Sequence, residues 1–412
     1  MPLRTAWLVL VVVVLADIMD LIDSSIANLA GPSIRADLGG GQVTVQWVLS
    51  AYTAAFALGL VTSGRLGDLL GRRRLFLLGM TGFTLASLAC GLAPDVASLI
   101  VARTLQGASG SVMIPQGLAL MTVVFSPQNL RKALTPVGPV MGVATVAGPI
   151  LAGWLLHLDL FGSQWRSIFL INVPFGIIAA ALAWRVLPRR GGEDPAARLD
   201  LTGVGLLTAA SALLIIPLIQ GRDLGWPAWT YVMMAAAVVL LALFVVSERH
   251  SQHPVIAPSL FRKRSFVVGL GIVAGFFASL SAFVLVINLL LQLGMGWTPL
   301  HTGLTLMKLA PALLLTGFGS GLVFVPLVGF ILGDASSEEV GTGAGLLNAI
   351  QQFAGAIGVA ALGTVFFARV GHPSAGSYFA AAQLVFGIAA ALYLLTLLLV
   401  GLLPRHAQRA HG

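Results

Sequence analysis

The chain has 412 residues, of which 58% are hydrophobic and 9% charged, with a formal net charge of +8. Soluble domains carry about 25% charged residues and about 45–50% apolar ones, so this composition cannot cover a wetted surface and a soluble fold is excluded. Repeated apolar runs of ~20 residues, the length of a helix crossing the hydrocarbon core, indicate an all-α, polytopic membrane protein.

Twelve spans are expected, near residues 7–29, 43–63, 75–93, 97–124, 133–156, 167–187, 200–219, 229–247, 266–292, 302–332, 341–368 and 378–402. With the N-terminus inside, 17 of the 23 Lys and Arg residues fall on the cytoplasmic side and only Arg35, Arg166, Arg222 and Arg369 on the other. That bias places both termini in the cytoplasm, with the plasma (inner) membrane as the expected location. The basic excess thus encodes orientation, and no nucleic-acid partner is expected. Cys90 is the sole cysteine, so neither a disulfide framework nor a cysteine zinc site can form within the chain.

The first span begins like a signal peptide, with Arg4 ahead of an apolar run, but its length and acids mark an uncleaved helix. Within it stand Asp17, Asp20 and Asp23. Residues three apart fall ~60° short of a helical turn, so the three acids spread over ~120°. Carboxylates inside a membrane face a bundle interior or a watery cavity and commonly mark proton paths. These acids are the expected proton-coupling groups, although some could serve only as structural hydrogen-bonding groups. Arg103, inside the fourth span and followed by Gln106, Gly107 and Gly110, is the expected partner of an ionised acid. A static buried pair is the alternative.

Between spans two and three lies GRLGDLLGRRRLF, Gly64 to Phe76. Gly64, Gly67 and Gly71 are expected to permit a tight turn. Asp68 can sit against a helix N-terminus or a basic side chain, and Arg72, Arg73 and Arg74 hold the loop at the cytoplasmic surface. Two polar linkers, Arg185–Asp200 and Glu248–Phe266, bracket a pair of helices whose outer loop carries Trp226, Trp229 and Tyr231, an interfacial belt. The expected organisation is an N-terminal six-helix bundle at 1–188, a central two-helix insertion at 189–265 and a C-terminal bundle at 266–412. Two Gly-rich helices, Gly138–Gly153 and Gly341–Gly358, hint at an internal repeat, a plan that transporters often use.

The candidate cargo surface comprises Trp47, Tyr52, Gln106, Phe276, Phe277, Asn288, Gln292, Asn348 and Gln352, aromatic and amide groups suited to amphiphilic ligands. Taken singly, each suits packing better than cargo binding. Lys308, within a span, can snorkel or pair with an acid. Neither G-x-x-x-x-G-K-[ST] nor H-E-x-x-H occurs, and the histidines are scattered. Neither ATP-driven pumping nor membrane-embedded enzymology is therefore expected, and no metal or cofactor, with a proton gradient as the energy source.

The loop at Gly64, Leu66, Asp68, Gly71, Arg72 and Arg73 resembles the G-x-L-x-D-x-x-G-R-[KR] motif of the major facilitator superfamily. LIDSSIANLAGPSI, with Asp23, Asn28 and Pro32, is similar to the first-helix motif of its fourteen-helix drug:proton antiporter branch. So are RTLQGASG, with Arg103, and WRSIFLINVP, with Trp165, Arg166, Asn172 and Pro174. AGPILAGWL resembles the antiporter motif G-P-x-x-G-G through Gly148, Pro149 and Gly153, with Ala152 in place of the first glycine of the closing pair. Ser25, Ala27 and Leu69 are further mild departures. The resemblance implies a two-bundle fold and proton-coupled efflux of drugs or other amphiphilic molecules by a monomer in the bilayer. It also implies six helices after the central pair, whereas four are counted. HTGLTLMKLAPALLL runs straight into TGFGSGLVFVPL near Leu315–Gly317, as though ~60–70 residues, two crossings and their loops, were missing. The C-terminal bundle is thus expected to be shortened. Alternative readings are an impaired remnant of such a transporter or an exporter of one self-made metabolite.

Overall fold

The computed structural model describes residues 3–39, 42–158, 162–188, 200–221, 224–251, 258–297, 327–331, 333, 339–371 and 374–403, and all regular structure among them is helical. Helices suit these apolar runs because a helix satisfies its own backbone polar groups where no water can do so. The described residues divide into two compact units, one ending before residue 198 and one following it.

The first unit contains α1 (Leu3–Leu38), α2 (Gln42–Leu70), α3 (Arg72–Gly91), α4 (Val96–Val124), the short α5 (Pro127–Leu134) and α6 (Val137–Leu158). A 3₁₀ turn at Gln164–Arg166 then leads through α7 (Ser167–Leu170) into α8 (Asn172–Val186). Local chemistry sets the boundaries. Asp95 caps α4 by accepting from Ser98 N at 2.8 Å, while the Asp95 N–H donates to Ser98 Oγ at 3.3 Å, a reciprocal box that satisfies two otherwise orphaned donors.

The glycines of the 64–76 segment divide their work differently from the expected turn. Gly64 and Gly67 lie inside α2, and the chain breaks only at Gly71, whose φ of 86° favours glycine. Gly67 instead makes room for α4: a Cβ there would stand 2.1 Å from Gln116 Oε1. Gln116 Nε2 in turn donates to Ser63 O at 2.8 Å. A Cβ on Gly107 would come within 2.2 Å of Tyr52 O, so the backbones of α2 and α4 touch, the close approach that small residues allow in membranes. This contact brings Tyr52 and Arg103 to the same level. α4 also packs along α3, and α1 lies against α2, α4, α6 and α8.

The second unit contains α9 (Leu201–Gln220), α10 (Ala228–His250), α11 (Pro258–Arg262), α12 (Arg264–Leu289), which ends in a π-helical turn at Leu290–Gly294, α13 (Glu339–Val370) and α14 (Ala375–Val400). Asp200 starts α9 by accepting from Gly203 N at 2.9 Å, and a Ser374–Ser377 box starts α14. Val286, Phe366 and Val385 join α12, α13 and α14 in one buried cluster. The α9–α10 pair belongs to this unit, with α9 touching α13. The compact units therefore divide near residue 198, where the sequence reading places one boundary near 189 and another near 266.

Eight helices among the described residues are long and apolar enough to cross a membrane, and two shorter apolar stretches, Ala51–Leu60 and Thr202–Leu218, lie in α2 and α9. Eleven of the twelve expected spans coincide with described helices. The remaining one, 302–332, lies almost wholly outside the described residues, as does Lys308.

Candidate functional site: a buried acid–arginine cluster

The first unit buries a carboxylate and a guanidinium together. Asp23 and Arg103 are each 1% exposed, and Arg103 Nη1 donates to Asp23 Oδ2 at 2.6 Å. Asp23 Oδ1 accepts from Gln106 Nε2 at 2.8 Å and from Asn172 Nδ2 at 2.7 Å. Three donors from α4 and α8 thus converge on one carboxylate of α1. Arg103 Nη1 also reaches Gln106 Oε1 at 2.7 Å, and its Nε points to Val48 O at 3.4 Å. Gln106 is held by Ser87 Oγ of α3 at 2.8 Å. The guanidinium lies over Tyr52, 4.3 Å from the ring centroid, and 5.5 Å from that of Phe169, an attraction worth ~2 kcal/mol when desolvated. Cys90, Leu99, Trp165, Ile168 and Phe169 belong to one buried apolar cluster, which touches the site through Phe169 and through Cys90, whose Sγ lies 3.7 Å from Gln106 Oε1. Every polar atom of such a site must find its partner in protein, because the interior solvates a lone charge poorly.

One turn back along α1, partly buried Asp20 has a different environment. The Tyr52 hydroxyl donates to its Oδ1, and the same oxygen lies 3.1 Å from where a Cβ of Gly110 would stand, beside the Phe56 ring. Asp17, a further turn back, is also partly buried, and among the described residues it forms no hydrogen bond or ion pair.

The structure therefore gathers Asp23, Arg103, Gln106, Tyr52 and Asp20 into one cluster. Gln106 and Tyr52 were expected on a cargo surface. Gln106 is fully buried and engaged with Asp23, Arg103 and Ser87, and Tyr52 is 4% exposed and bonded to Asp20. Both are committed to the cluster by the α2–α4 contact. Trp47, one turn before Ala51, is 41% exposed. In the second unit Phe276 and Phe277 meet edge-on at 5.4 Å, and Phe276 also meets Tyr393 at 5.6 Å. Gln292 sits part-buried in the π-helical turn, Asn348 is part-buried on α13 and Gln352 is exposed there. The side chains of Asn288, Asp68, Pro149 and Gly153 lie outside the described ones, while Gly64 and Gly148 are buried in α2 and α6.

Two of the three motif arginines, at the start of α3, are anchored to neighbouring helices. Arg72 Nη1 reaches Ala119 O of α4 at 3.4 Å, and Arg73 Nη2 donates to Trp184 O of α8 at 2.7 Å while lying over that indole. Residues of the cluster that the sequence reading did not place in the site are Asn172 and Ser87. Asn172 carried a signal, since it stands in the WRSIFLINVP segment.

A second ion pair closes the far end of α1. Asp37 Oδ2 accepts from Arg166 Nη1 and from Trp165 Nε1, the latter at 3.0 Å, and Arg166 Nη2 donates to Ala93 O at 3.2 Å. The Arg166 guanidinium, then the Trp165 indole, hold the Asp37 carboxyl below the usual carboxylate range. A carboxyl lowered by folding contributes stability that is present above its unfolded value, ~3.9, and lost as pH falls through the folded value. Comparison of Asp37→Asn with the parent by thermal unfolding should therefore show a small deficit at neutral pH that vanishes in strong acid. The deficit stays small because both side chains are about one-third exposed. An equal deficit at every pH would refute the ion-pair account.

Two helical units of apolar spans, with an ion pair buried among the helices of the first, have the pattern of a polytopic membrane protein. Residues 13–359 match the Major Facilitator Superfamily, and the chain belongs to this family of transporters. It is 37% identical over 435 residues to the "Probable actinorhodin transporter" of Streptomyces coelicolor, covering 91% of this chain and 75% of that protein. It is 30% identical over 417 residues to the "Tetracenomycin C resistance and export protein" of Streptomyces glaucescens, covering 89% and 77% respectively. In fold it is similar to the human organic anion transporter MFSD10, with a TM-score of 0.55 at 17% identity over 97% of this chain and 100% of that one.

Both alignments also contain positions with no counterpart in this chain. The first spans 435 positions but only 91% of 412 residues, about 375, so about 60 positions have no counterpart in this chain. The second spans 417 positions against 89%, about 367 residues, leaving about 50. Two crossings of ~20 residues with their loops are of this size.

Proposed function

We propose that the protein exports amphiphilic small molecules across a bacterial plasma membrane in exchange for protons, through alternating access of its two helical units, with both termini cytoplasmic and the monomer as the working unit. The observation that carries this reading is the Asp23–Arg103 pair, buried among apolar helices and fastened by Gln106 and Asn172. A buried ion pair is a costly way to hold helices together, since apolar groups of similar volume often stabilise as well or better. Its presence therefore suits a role in coupling. The names of the relatives speak of transport, resistance and export, which supports efflux as the direction. The 17-to-4 charge bias supports the orientation. The energy source is the proton gradient, with no metal or cofactor.

The test is uptake of ethidium into everted membrane vesicles, where export appears as accumulation driven by an inside-acid gradient. Asp23→Asn should abolish this uptake per molecule of folded protein, the amount of folded protein itself falling because Arg103 loses its counter-charge. Uptake that retains its full pH-gradient dependence in Asp23→Asn would sink the assignment. A second reading, an impaired descendant of such an exporter, is favoured by the about 60 positions without counterpart.

A further inference from the structure

We infer that the exchanged proton resides on Asp20, with Tyr52 as its hydrogen-bond partner, and that Asp23 is the fixed counter-charge of Arg103. The inference rests on the proton-coupled reading above and assigns its proton to one atom group.

The two carboxylates differ in how fully they are occupied. Asp23 has both oxygens engaged by N–H donors, one of them a guanidinium that cannot become an acceptor: Arg103 on Oδ2, and the Gln106 and Asn172 amides on Oδ1. A proton placed there would remove the counter-charge of Arg103 and leave the guanidinium uncompensated in the protein interior. Asp20 has one partner on Oδ1, the Tyr52 hydroxyl, and among the described residues its Oδ2 meets no donor. A hydroxyl can turn from donor to acceptor, so Tyr52 can bond either charge state of Asp20. Asp20 therefore accepts a proton from water on one side and releases it to water on the other, with one O–H bond made and broken and no orphaned group left behind.

The surroundings contain little that would compete. On its own helix Asp20 has Asp17 and Asp23 one turn away in either direction; α2 offers Tyr52 and α4 offers Arg103. Other charged residues on the helices packed against α1 are far along their axes. Arg65 and Asp68 follow Tyr52 by ~20 Å or more on α2, and Arg185 follows Asn172 by ~20 Å on α8. Arg166 is committed to Asp37, ~25 Å along α1 from Asp20.

The same geometry supplies a route from proton to helix packing. The ring whose hydroxyl binds Asp20 also carries the Arg103 guanidinium at 4.3 Å, and the Tyr52 backbone touches Gly107. A change in the Asp20–Tyr52 bond thus acts on the α2–α4 contact directly, while the Asp23–Arg103 pair stays closed.

The test is the pH-difference infrared spectrum of the full-length protein in lipid vesicles, which reads the carbonyl stretch of protonated carboxyls, alongside ethidium uptake by the same preparations. The wild-type band should vanish in Asp20→Asn and persist in Asp23→Asn and Asp17→Asn. Tyr52→Phe should keep the band but displace its pH midpoint by about one unit or more, as expected for loss of a hydrogen bond to a charged group. A band that survives in Asp20→Asn, is absent from the wild type, or has a midpoint indifferent to Tyr52→Phe overturns the inference. Absence of gradient-driven uptake by the wild type would instead count against the proton-coupled reading, whichever residue carries the band.

Discussion

Replacing Arg103 with alanine is expected to lower stability by ~3–5 kcal/mol, the usual cost of orphaning one member of a buried ion pair. Asp23 would be left facing two amide donors but no cation, beside a buried apolar cluster that includes Leu99, Trp165 and Phe169. The space vacated by a guanidinium stacked on Tyr52 adds a cavity to this cost. Thermal unfolding followed by size-exclusion chromatography in detergent should show the loss as a reduced monodisperse fraction at lower temperature. The double variant Asp23→Asn with Arg103→Gln removes both charges and keeps groups that can hydrogen-bond. It should recover most of the folded fraction yet remain inactive in gradient-driven uptake. Recovery of neither folding nor uptake would mean that packing around Arg103, rather than charge burial, dominates its contribution. Recovery of both would remove the pair from the transport cycle.

The parts of this cluster that were legible in the sequence are those where a residue contradicts its surroundings. An aspartate or arginine inside an apolar span is costly enough that Asp23 and Arg103 stand out without any structure, and the charge bias orders the spans around them. Neutral polar residues carry no such signal. Ser87 reads as ordinary helix packing, and Asn172 as one amide among several, until the fold brings α3 and α8 to the same depth as Asp23. Gln106 and Tyr52 stand out in the sequence as groups suited to cargo, and sequence cannot show that the fold also turns them toward Asp23 and Asp20. Glycine is ambiguous in another sense. Gly67 and Gly71 look alike in a loop motif, yet one yields space to Gln116 and the other takes a positive φ. Only the path of the neighbouring helix distinguishes the two uses.

Restoring the absent stretch is expected to raise transport several-fold without changing insertion. About 60 positions of the actinorhodin transporter have no counterpart in this chain, and the sequence places the junction near Leu315–Gly317. An even number of lost crossings keeps every later helix in its original direction, in line with the orientation proposed above. Insertion therefore survives, and the remaining helices still bury their contacts: α12 meets α13 backbone to backbone at Ala278 and Gly358, and α14 closes on both through Val385. A cavity wall is harder to replace. Packed helices leave few voids and have no spare element to fill the gap left by two neighbours, and alternating access needs a second bundle that can close on the first. A chimera carrying the relative's segment at that junction should match the natural chain in membrane abundance and exceed it in gradient-driven ethidium uptake. Equal uptake by the two would show that the shortened bundle is a working exporter, and would end the reading of the protein as an impaired descendant.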